Sequence, residues 1–255
     1  MRIGIAGITG RMGQLLVEQV AQAGETLAGG IGLGERDGGL LAGIADLAAV
    51  SDVVIDFTNA ATAAAHAAAL ASAGTAWVLG TSGLSAADEA AVAEAATRIP
   101  VVYAANFAPG VTLVLALAER MAAALPAADY DAEIVEMHHR QKVDAPSGTA
   151  IALGRAVAAG RGVRLDDVAA RGRDGHTGPR LPGAIGFAAL RGGQVVGEHT
   201  VLFAAGAEHI ALTHRAFDRS SFAAGAVRAA RWLAGSTSGR RPPGLYGMTD
   251  VLGLA

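Results

Sequence analysis

The 255-residue sequence contains no cysteine. That absence excludes a disulfide framework, cysteine-ligated zinc and any thiol nucleophile. Lysine is almost missing as well, since of the 20 Lys and Arg side chains only Lys142 is a lysine. There is no stretch of about 20 bulky apolar residues, and the alanine-rich segment 60–73 is too short to span a bilayer and carries His66. No membrane association is expected. The net charge of −3 is small, which argues against a general nucleic-acid binder. Residues 1–6 read as a buried strand, not as a charged and apolar leader, so no signal peptide is expected and the protein reads as soluble and cytoplasmic.

What the chain has in excess is small side chains: 60 Ala and 35 Gly. Apolar residues make up 52% of the sequence, enough for one large domain or two small ones, but the packing must rely on close backbone approach. The preference for Arg over Lys reads as coding composition. It singles out Lys142, because burial can tune an ammonium into a proton donor while a guanidinium stays charged.

The first half alternates strands and helices. Strands are expected at 2–6, 26–31, 52–56, 76–80 and 101–104, and helices at 12–23, 60–73 and 85–97. Ser85 with Asp88 three residues on forms a capping box. Repeated βα units imply a parallel, doubly wound sheet. A long helix at 110–125 is followed by a strand at 131–137, a polar loop, a helix at 148–159 and a loose Arg, Gly and Pro stretch at 160–183. Strands are then expected at 187–191, 195–205 and 209–217, with Gly192-Gly193 as a tight hairpin turn. An amphipathic helix at 220–234 precedes the tail. The fold class is therefore α/β: a Rossmann-type doubly wound parallel sheet with a second α+β domain, residues 1–108 and 220–255 forming the first and 109–219 the second.

Directly between the first strand and first helix lies Gly7-Ile8-Thr9-Gly10-Arg11-Met12-Gly13. Glycines here allow a tight turn and close approach of a pyrophosphate, whose charge is favoured by the helix N-terminus. The second strand ends in Gly30-Ile31-Gly32, without the acid that commonly bonds the ribose 2′-hydroxyl. Nearby, Glu35 and Arg36 are able to supply an acid for NAD or a cation for the NADP phosphate; a solvated loop explains them equally well. Gly80, Thr81 and Ser82 end the fourth strand, and Ala104, Ala105, Asn106 and Phe107 end the fifth. Both stretches fall on the carboxyl edge, where open α/β sheets bind ligands.

The densest reactive cluster runs from Glu136 through His138, His139, Arg140 and Lys142 to Ser147, Gly148 and Thr149. Lys and His can donate protons, Arg can bind a carboxylate, and the helix opened by Ser147 can receive a second anion. Asp144-Ala145-Pro146 keeps the loop from being helical. Adjacent histidines on a strand face opposite ways, so no metal is expected. His66, His176 and His209 stand alone and read as surface or core residues. A short-chain dehydrogenase would place Tyr where His138 stands.

With GITGRMG, VVIDFTNA, GTSGLS, AANFAPGV, EMHHRQKVDAPSGTA, RGGQVVGEH and LYGMTDVLGL in order along the chain, the sequence resembles the 4-hydroxy-tetrahydrodipicolinate (dihydrodipicolinate) reductases of diaminopimelate and lysine biosynthesis. The resemblance implies reduction of a cyclic dicarboxylate by NADH or NADPH with loss of water, and a homotetramer built through the second domain. It makes His138 a proton donor or acceptor, Lys142 the proton donor near the reduced centre, and His139 a substrate contact, with Ser147, Gly148 and Thr149 at a substrate carboxylate. It places Gly7 to Met12 at the pyrophosphate, Gly80 to Ser82 and Ala104 to Phe107 at the nicotinamide, and Arg219 and Phe222 against the cofactor. Domain closure is expected, because hydride transfer needs water excluded. Ser82 stands where the family often has Thr, and the glycines ending the second strand stand where it often has an acid. The alternatives are a homoserine or aspartate-type dehydrogenase and a dinucleotide-binding regulator without catalysis.

Overall fold

The structure is a computed structural model that describes residues 1–33, 40–235 and 239–254. Its chain contacts divide into two compact units, Met1–Pro109 with Arg219–Ala255, and Gly110–Asp218.

The first unit holds strands β1 (Arg2–Ala6), β2 (Thr26–Ile31), β3 (Val53–Asp56), β4 (Ala76–Leu79), β5 (Pro100–Tyr103) and β11 (Gly244–Tyr246) in one sheet, ordered β11-β5-β4-β3-β1-β2. Every pairing is parallel. Strands β3 and β4 are buried along their whole length, as expected when helices cover both faces of a sheet. Alternate residues serve opposite cores. Ile3, Ile5, Val53, Ile55 and Val78 pack with α1 (Arg11–Gln22) and α8 (Ser220–Ala234), while Val54, Trp77, Leu79 and Val101 pack with α2 (Ile44–Val50), α3 (Ala60–Ala73) and α4 (Ala86–Ala96).

The chain order reverses at β1, which lies between β2 and β3. That makes the carboxyl ends of β1 and β3 the switch point, where such sheets bind their ligands. The capping box at Ser85 is formed, with the Ser85 hydroxyl accepting from the Asp88 N–H at 3.2 Å and the Asp88 carboxylate accepting from the Ser85 N–H at 2.9 Å.

Helix α2, strand β11 and a short last helix α9 (Met248–Leu252) were not expected in this unit. Helix α2 has seven residues and no side-chain cap, too short to display a helical period. Strand β11 has three residues and is held in register beside β5 by its neighbours: Trp232 meets Tyr246 edge to face at 5.0 Å, and the Arg241 guanidinium lies 4.2 Å over the Trp232 ring.

The second unit contains α5 (Pro109–Ala124), which enters from the first, β6 (Asp131–His138), α6 (Gly148–Gly160), α7 (Leu165–Val168), β7 (Ala169–Ala170), β8 (Ile185–Arg191), β9 (Gly197–Ala204) and β10 (His209–Ala216). Its sheet is ordered β10-β9-β6-β8-β7. The expected hairpin at Gly192-Gly193 is corrected: β8 pairs parallel with β6, β9 pairs antiparallel with β6, and β8 and β9 are not neighbours. The glycines instead carry the chain past the end of β6, with Gly192 donating to the His138 carbonyl at 2.9 Å. The loose stretch before β8 is tied down by Arg180, whose guanidinium donates to Asp131, Glu133 and the carbonyls of Ala132 and Ala184.

Close approach by small residues is visible at the base of the first unit's binding edge. A Cβ on Gly225 of α8 would run into the Phe107 carbonyl, so the helix seats against the loop that follows β5. Gly225→Ala is expected to lower stability by about 3 kcal/mol through overpacking, measured by denaturant unfolding. A variant within about 0.5 kcal/mol of the parent would contradict this contact.

Candidate active site

The turn after β1 is shaped by its glycines. Gly7 has φ +87°, and its N–H and that of Ile8 both donate to the Ile31 carbonyl, at 2.8 and 3.0 Å. A Cβ on Gly13 would strike the Gly7 carbonyl and the Ile8 backbone, so α1 begins directly under the turn. Its N-cap, Gly10, makes no side-chain bond, which leaves the first-turn N–H groups for an anion. The glycines that end β2 have a steric reason. A Cβ on Gly30 or Gly32 would lie 2.5 Å from the Ile8 or Thr9 side chain.

Two hollows open along this edge. One, of about 670 Å³, is lined by Gly7, Thr9, Gly10, Ile31, Gly32, Phe57, Thr58 and His66 among others. The other, of about 260 Å³, is lined by Arg11, Met12, Phe57, Ala105, Asn106, Phe107, Arg219 and Phe222. Phe57 belongs to both, and its ring meets that of Phe107 at 5.6 Å. A Cβ on Gly80 would collide with the Phe57 ring, which brings the loop after β4 against the same side chain. Ile8, Gly80, Thr81, Ser82 and Ala104 line neither hollow, although the Thr81 hydroxyl is buried without a hydrogen-bond partner. Glu35 and Arg36 lie outside the described residues.

Sequence reasoning passed over Asp56 and His66. Asp56 is wholly buried at the end of β3. It accepts from the Thr58 N–H at 3.1 Å, the Thr58 hydroxyl at 2.6 Å and His66 Nδ1 at 2.7 Å. The carboxylate thus fixes the loop that carries Phe57. The strand end gave a signal, an acid closing a run of apolar residues, but only the fold brings α3 and His66 over it.

In the second unit the buried face of β6 changes from apolar to polar along its length, from Ala132 and Ile134 to Glu136 and His138. Glu136 is 1% exposed. It accepts two bonds from Arg191, at 2.9 and 2.8 Å, one from His138 Nδ1 at 2.6 Å and one from the Ser147 N–H at 3.2 Å. Arg191 also donates to the Asp144 carbonyl at 2.7 Å, which pins the loop before α6.

Ser147 caps α6, its hydroxyl accepting from the Ala150 N–H at 3.2 Å and meeting His199 Nε2 at 2.9 Å. Its side chain is therefore engaged internally, while Gly148 is exposed at the helix start. Gly197 leaves room for the His138 ring, since a Cβ there would lie 3.0 Å from His138 Nε2. His139 is half-buried, and its Nδ1 has no hydrogen-bond partner. Lys142 donates to Asp144 at 2.7 Å, and the Asp144 side chain is 56% exposed. Such an exposed pair contributes about 0–1 kcal/mol, so the ammonium is readily released to another partner.

The electrostatics follow from this packing. Burial pushes the Glu136 carboxyl up, but the bonds from Arg191, His138 and the Ser147 N–H outweigh it and hold the group below its ordinary value. The Lys142 ammonium likewise holds Asp144 low. His199 is pushed down to about 4, first by burial and then by His138, with His214 and Lys142 adding to the effect and Glu136 opposing it. Burial also lowers His214.

A family model described as dihydrodipicolinate reductase, N-terminus, matches residues 1–107, and one described as dihydrodipicolinate reductase, C-terminus, matches residues 110–252. The chain is 66% identical over 259 residues to the 4-hydroxy-tetrahydrodipicolinate reductase of Granulibacter bethesdensis, covering 100% of this chain and 97% of that one. It is 66% identical over 254 residues to that of Acidiphilium cryptum, covering 100% and 98%. Among solved structures, the dipicolinate-bound dihydrodipicolinate reductase of Paenisporosarcina sp. TG-14 shares the fold with a TM-score of 0.79 at 23% identity over 98% of each chain. A probable dehydrogenase from Thermotoga maritima shares it at 0.63 and 12% identity, over 98% of this chain and 92% of that one. None of the described helices is long and apolar enough to cross a membrane.

Because the native state keeps His199 neutral below its ordinary 6.5, the unfolded chain binds more protons between 6.5 and about 4. Stability is whole above that window and falls as pH drops through it. The lowered carboxyls of Glu136 and Asp144 add their losses from about their ordinary 4.5 and 3.8 downward, at the foot of that window and below it. Thermal unfolding measured across the window is expected to show Tm falling with pH, less steeply in His199→Gln; equal slopes in both proteins would contradict the assignment.

Proposed function

The chain belongs to the 4-hydroxy-tetrahydrodipicolinate reductase family, and on that premise we infer that it is an NAD(P)H-dependent oxidoreductase that reduces 4-hydroxy-tetrahydrodipicolinate to tetrahydrodipicolinate with loss of water, in diaminopimelate and lysine biosynthesis. The observation that carries the mechanistic reading is the buried Glu136 carboxylate, which holds His138, Arg191 and the start of α6 in one bonded group.

The turn at Gly7 suits a dinucleotide, because its positive φ and the clash that any Gly13 side chain would meet set the start of α1, whose first-turn N–H groups suit a pyrophosphate, directly under the turn. In this reading Gly7 to Met12 hold the pyrophosphate, and Ala105, Asn106, Phe107, Arg219 and Phe222 hold the nicotinamide half, with NADH and NADPH both admissible. When bound, the reduced nicotinamide supplies hydride.

The second unit supplies the substrate site. First-turn N–H groups of α6, at Gly148 and Thr149, receive one carboxylate of the substrate, favoured by the positive end of the helix. His139, half-buried directly after β6, is a substrate contact in this reading. Ser147 acts as the cap that presents this helix start. Glu136 accepts the Nδ1 proton of His138, which fixes the tautomer and leaves Nε2, beside Gly197, as the atom that exchanges a proton. Lys142 leaves its weak pair with Asp144 and donates a proton from Nζ to the carbon skeleton as negative charge develops there. A homotetramer built through the uncovered end of β8 is part of the proposal, supported by the consecutive exposure of Ala188, Ala189 and Leu190; so is a cytoplasmic location.

Mixing the protein with enzymatically generated 4-hydroxy-tetrahydrodipicolinate and NADH or NADPH is expected to consume the reduced cofactor. No loss of its absorbance with either would favour a non-catalytic binder, and consumption with homoserine or aspartate semialdehyde instead would favour the other dehydrogenases. In Lys142→Met and Lys142→Arg, kcat is expected to fall by about 100-fold or more, with calorimetric cofactor affinity changed by less than about threefold. Near-native kcat in either variant would remove the proton-donor role.

A further inference from the structure

His199, on β9, is 5% exposed and takes no part in the steps above. Its position is nonetheless specific. Nε2 lies 2.9 Å from the Ser147 hydroxyl, and its ring meets the His138 ring edge to face at 5.0 Å between centroids. It pairs across the sheet with Glu136 on one side and His214 on the other. One imidazole therefore touches both the cap of α6 and the ring assigned to proton transfer.

We infer that His199 is a positioning residue for the substrate's carboxylate, holding the Ser147 hydroxyl in its capping geometry so that the N–H groups at the start of α6 stay directed at the anion. The inference rests on the α6 carboxylate site proposed above. A serine hydroxyl has three staggered positions, and beside an incoming carboxylate it would gain by swinging out to donate to it. Here it is held from two sides, by the Ala150 N–H at 3.2 Å and by His199 at 2.9 Å, while the Ser147 backbone N–H is fixed on Glu136 at 3.2 Å. The arrangement keeps Ser147 a cap and leaves the backbone to bind the anion. Being neutral, the imidazole adds no fixed charge that would pull the carboxylate away from the helix axis toward β9. The edge-to-face contact with His138 makes the same residue a spacer between the anion site and the proton-transfer ring.

The test separates positioning from bulk packing by reach. Glutamine carries its amide nitrogen about as far from the backbone as Nε2, whereas asparagine stops near Nδ1, short of Ser147. Binding of pyridine-2,6-dicarboxylate, a planar dicarboxylate that is not reduced, is measured by calorimetry beside substrate and cofactor KM. His199→Asn is expected to weaken the probe and raise substrate KM about tenfold, as loss of one buried hydrogen bond does. Cofactor KM is expected to stay within about twofold. His199→Gln is expected to restore both substrate readouts to within about threefold, and Ser147→Ala to reproduce the Asn effect without adding to it in the double variant. The inference is overturned if the Asn variant binds the probe natively, if the Ser147 and His199 effects multiply, if cofactor KM rises in parallel, or if the parent protein does not bind the dicarboxylate at all. A parent that binds the probe but does not turn over would count against the reaction alone, and the same comparison of His199→Asn with His199→Gln on probe binding still decides the inference.

Discussion

The polar cluster of the second unit, to which the proposed chemistry is assigned, depends on one buried charge. Removing a carboxylate from water costs several kcal/mol unless its partners compensate, and Glu136 is compensated on every side: a forked pair of bonds from Arg191, one from His138 and one from a backbone N–H. These partners come from β6 itself, from β8 and from the start of α6, so satisfying the charge also fixes the relative positions of three elements. Arg191 extends the effect to the loop carrying Lys142 and Asp144 through the Asp144 carbonyl. The His138 ring and the start of α6 are thus held by the same group, and moving either takes a hydrogen bond from a buried carboxylate.

The first unit meets a different constraint. Its ligand edge is built by backbone, with Gly7, Gly13, Gly30, Gly80 and Gly225 each standing where a side chain would strike a neighbour. The abundance of small residues, which at first says only that packing is close, is put to use here: α1 starts against the turn it serves, and α8 seats against the loop at Phe107. Phe57 is the large side chain around which this edge is arranged, and Asp56 and His66 hold its loop.

Local signals carried most of the fold. Helix Ala60–Ala73 ends where Gly74 adopts a left-handed turn, φ +71°, and the capping box at Ser85 is written in adjacent residues. Long-range pairing was not legible. Gly192-Gly193 has the chemistry of a hairpin, yet β6 takes the place between β8 and β9 and its backbone is paired on both edges. Nor did a three-residue strand such as β11 show a period of its own. The same division runs through the site. Lys142, His138, His139 and Ser147 lie within ten positions of one another in the sequence and stand out together. Arg191 reaches Glu136 across 55 positions and His199 reaches Ser147 across 52, so their roles appear only once the strands are aligned. His66, read from sequence as an isolated surface or core residue, proves buried and paired with Asp56.

The claim that Glu136 organises the reacting groups of the second unit is tested most directly by Glu136→Gln, which keeps the shape and removes the charge. With kcat and calorimetric NADPH affinity measured on the same preparation, turnover is predicted to fall by about 100-fold or more while the cofactor binds as in the parent. Turnover near the parent's value, or a cofactor affinity lost in step with turnover, would contradict the account.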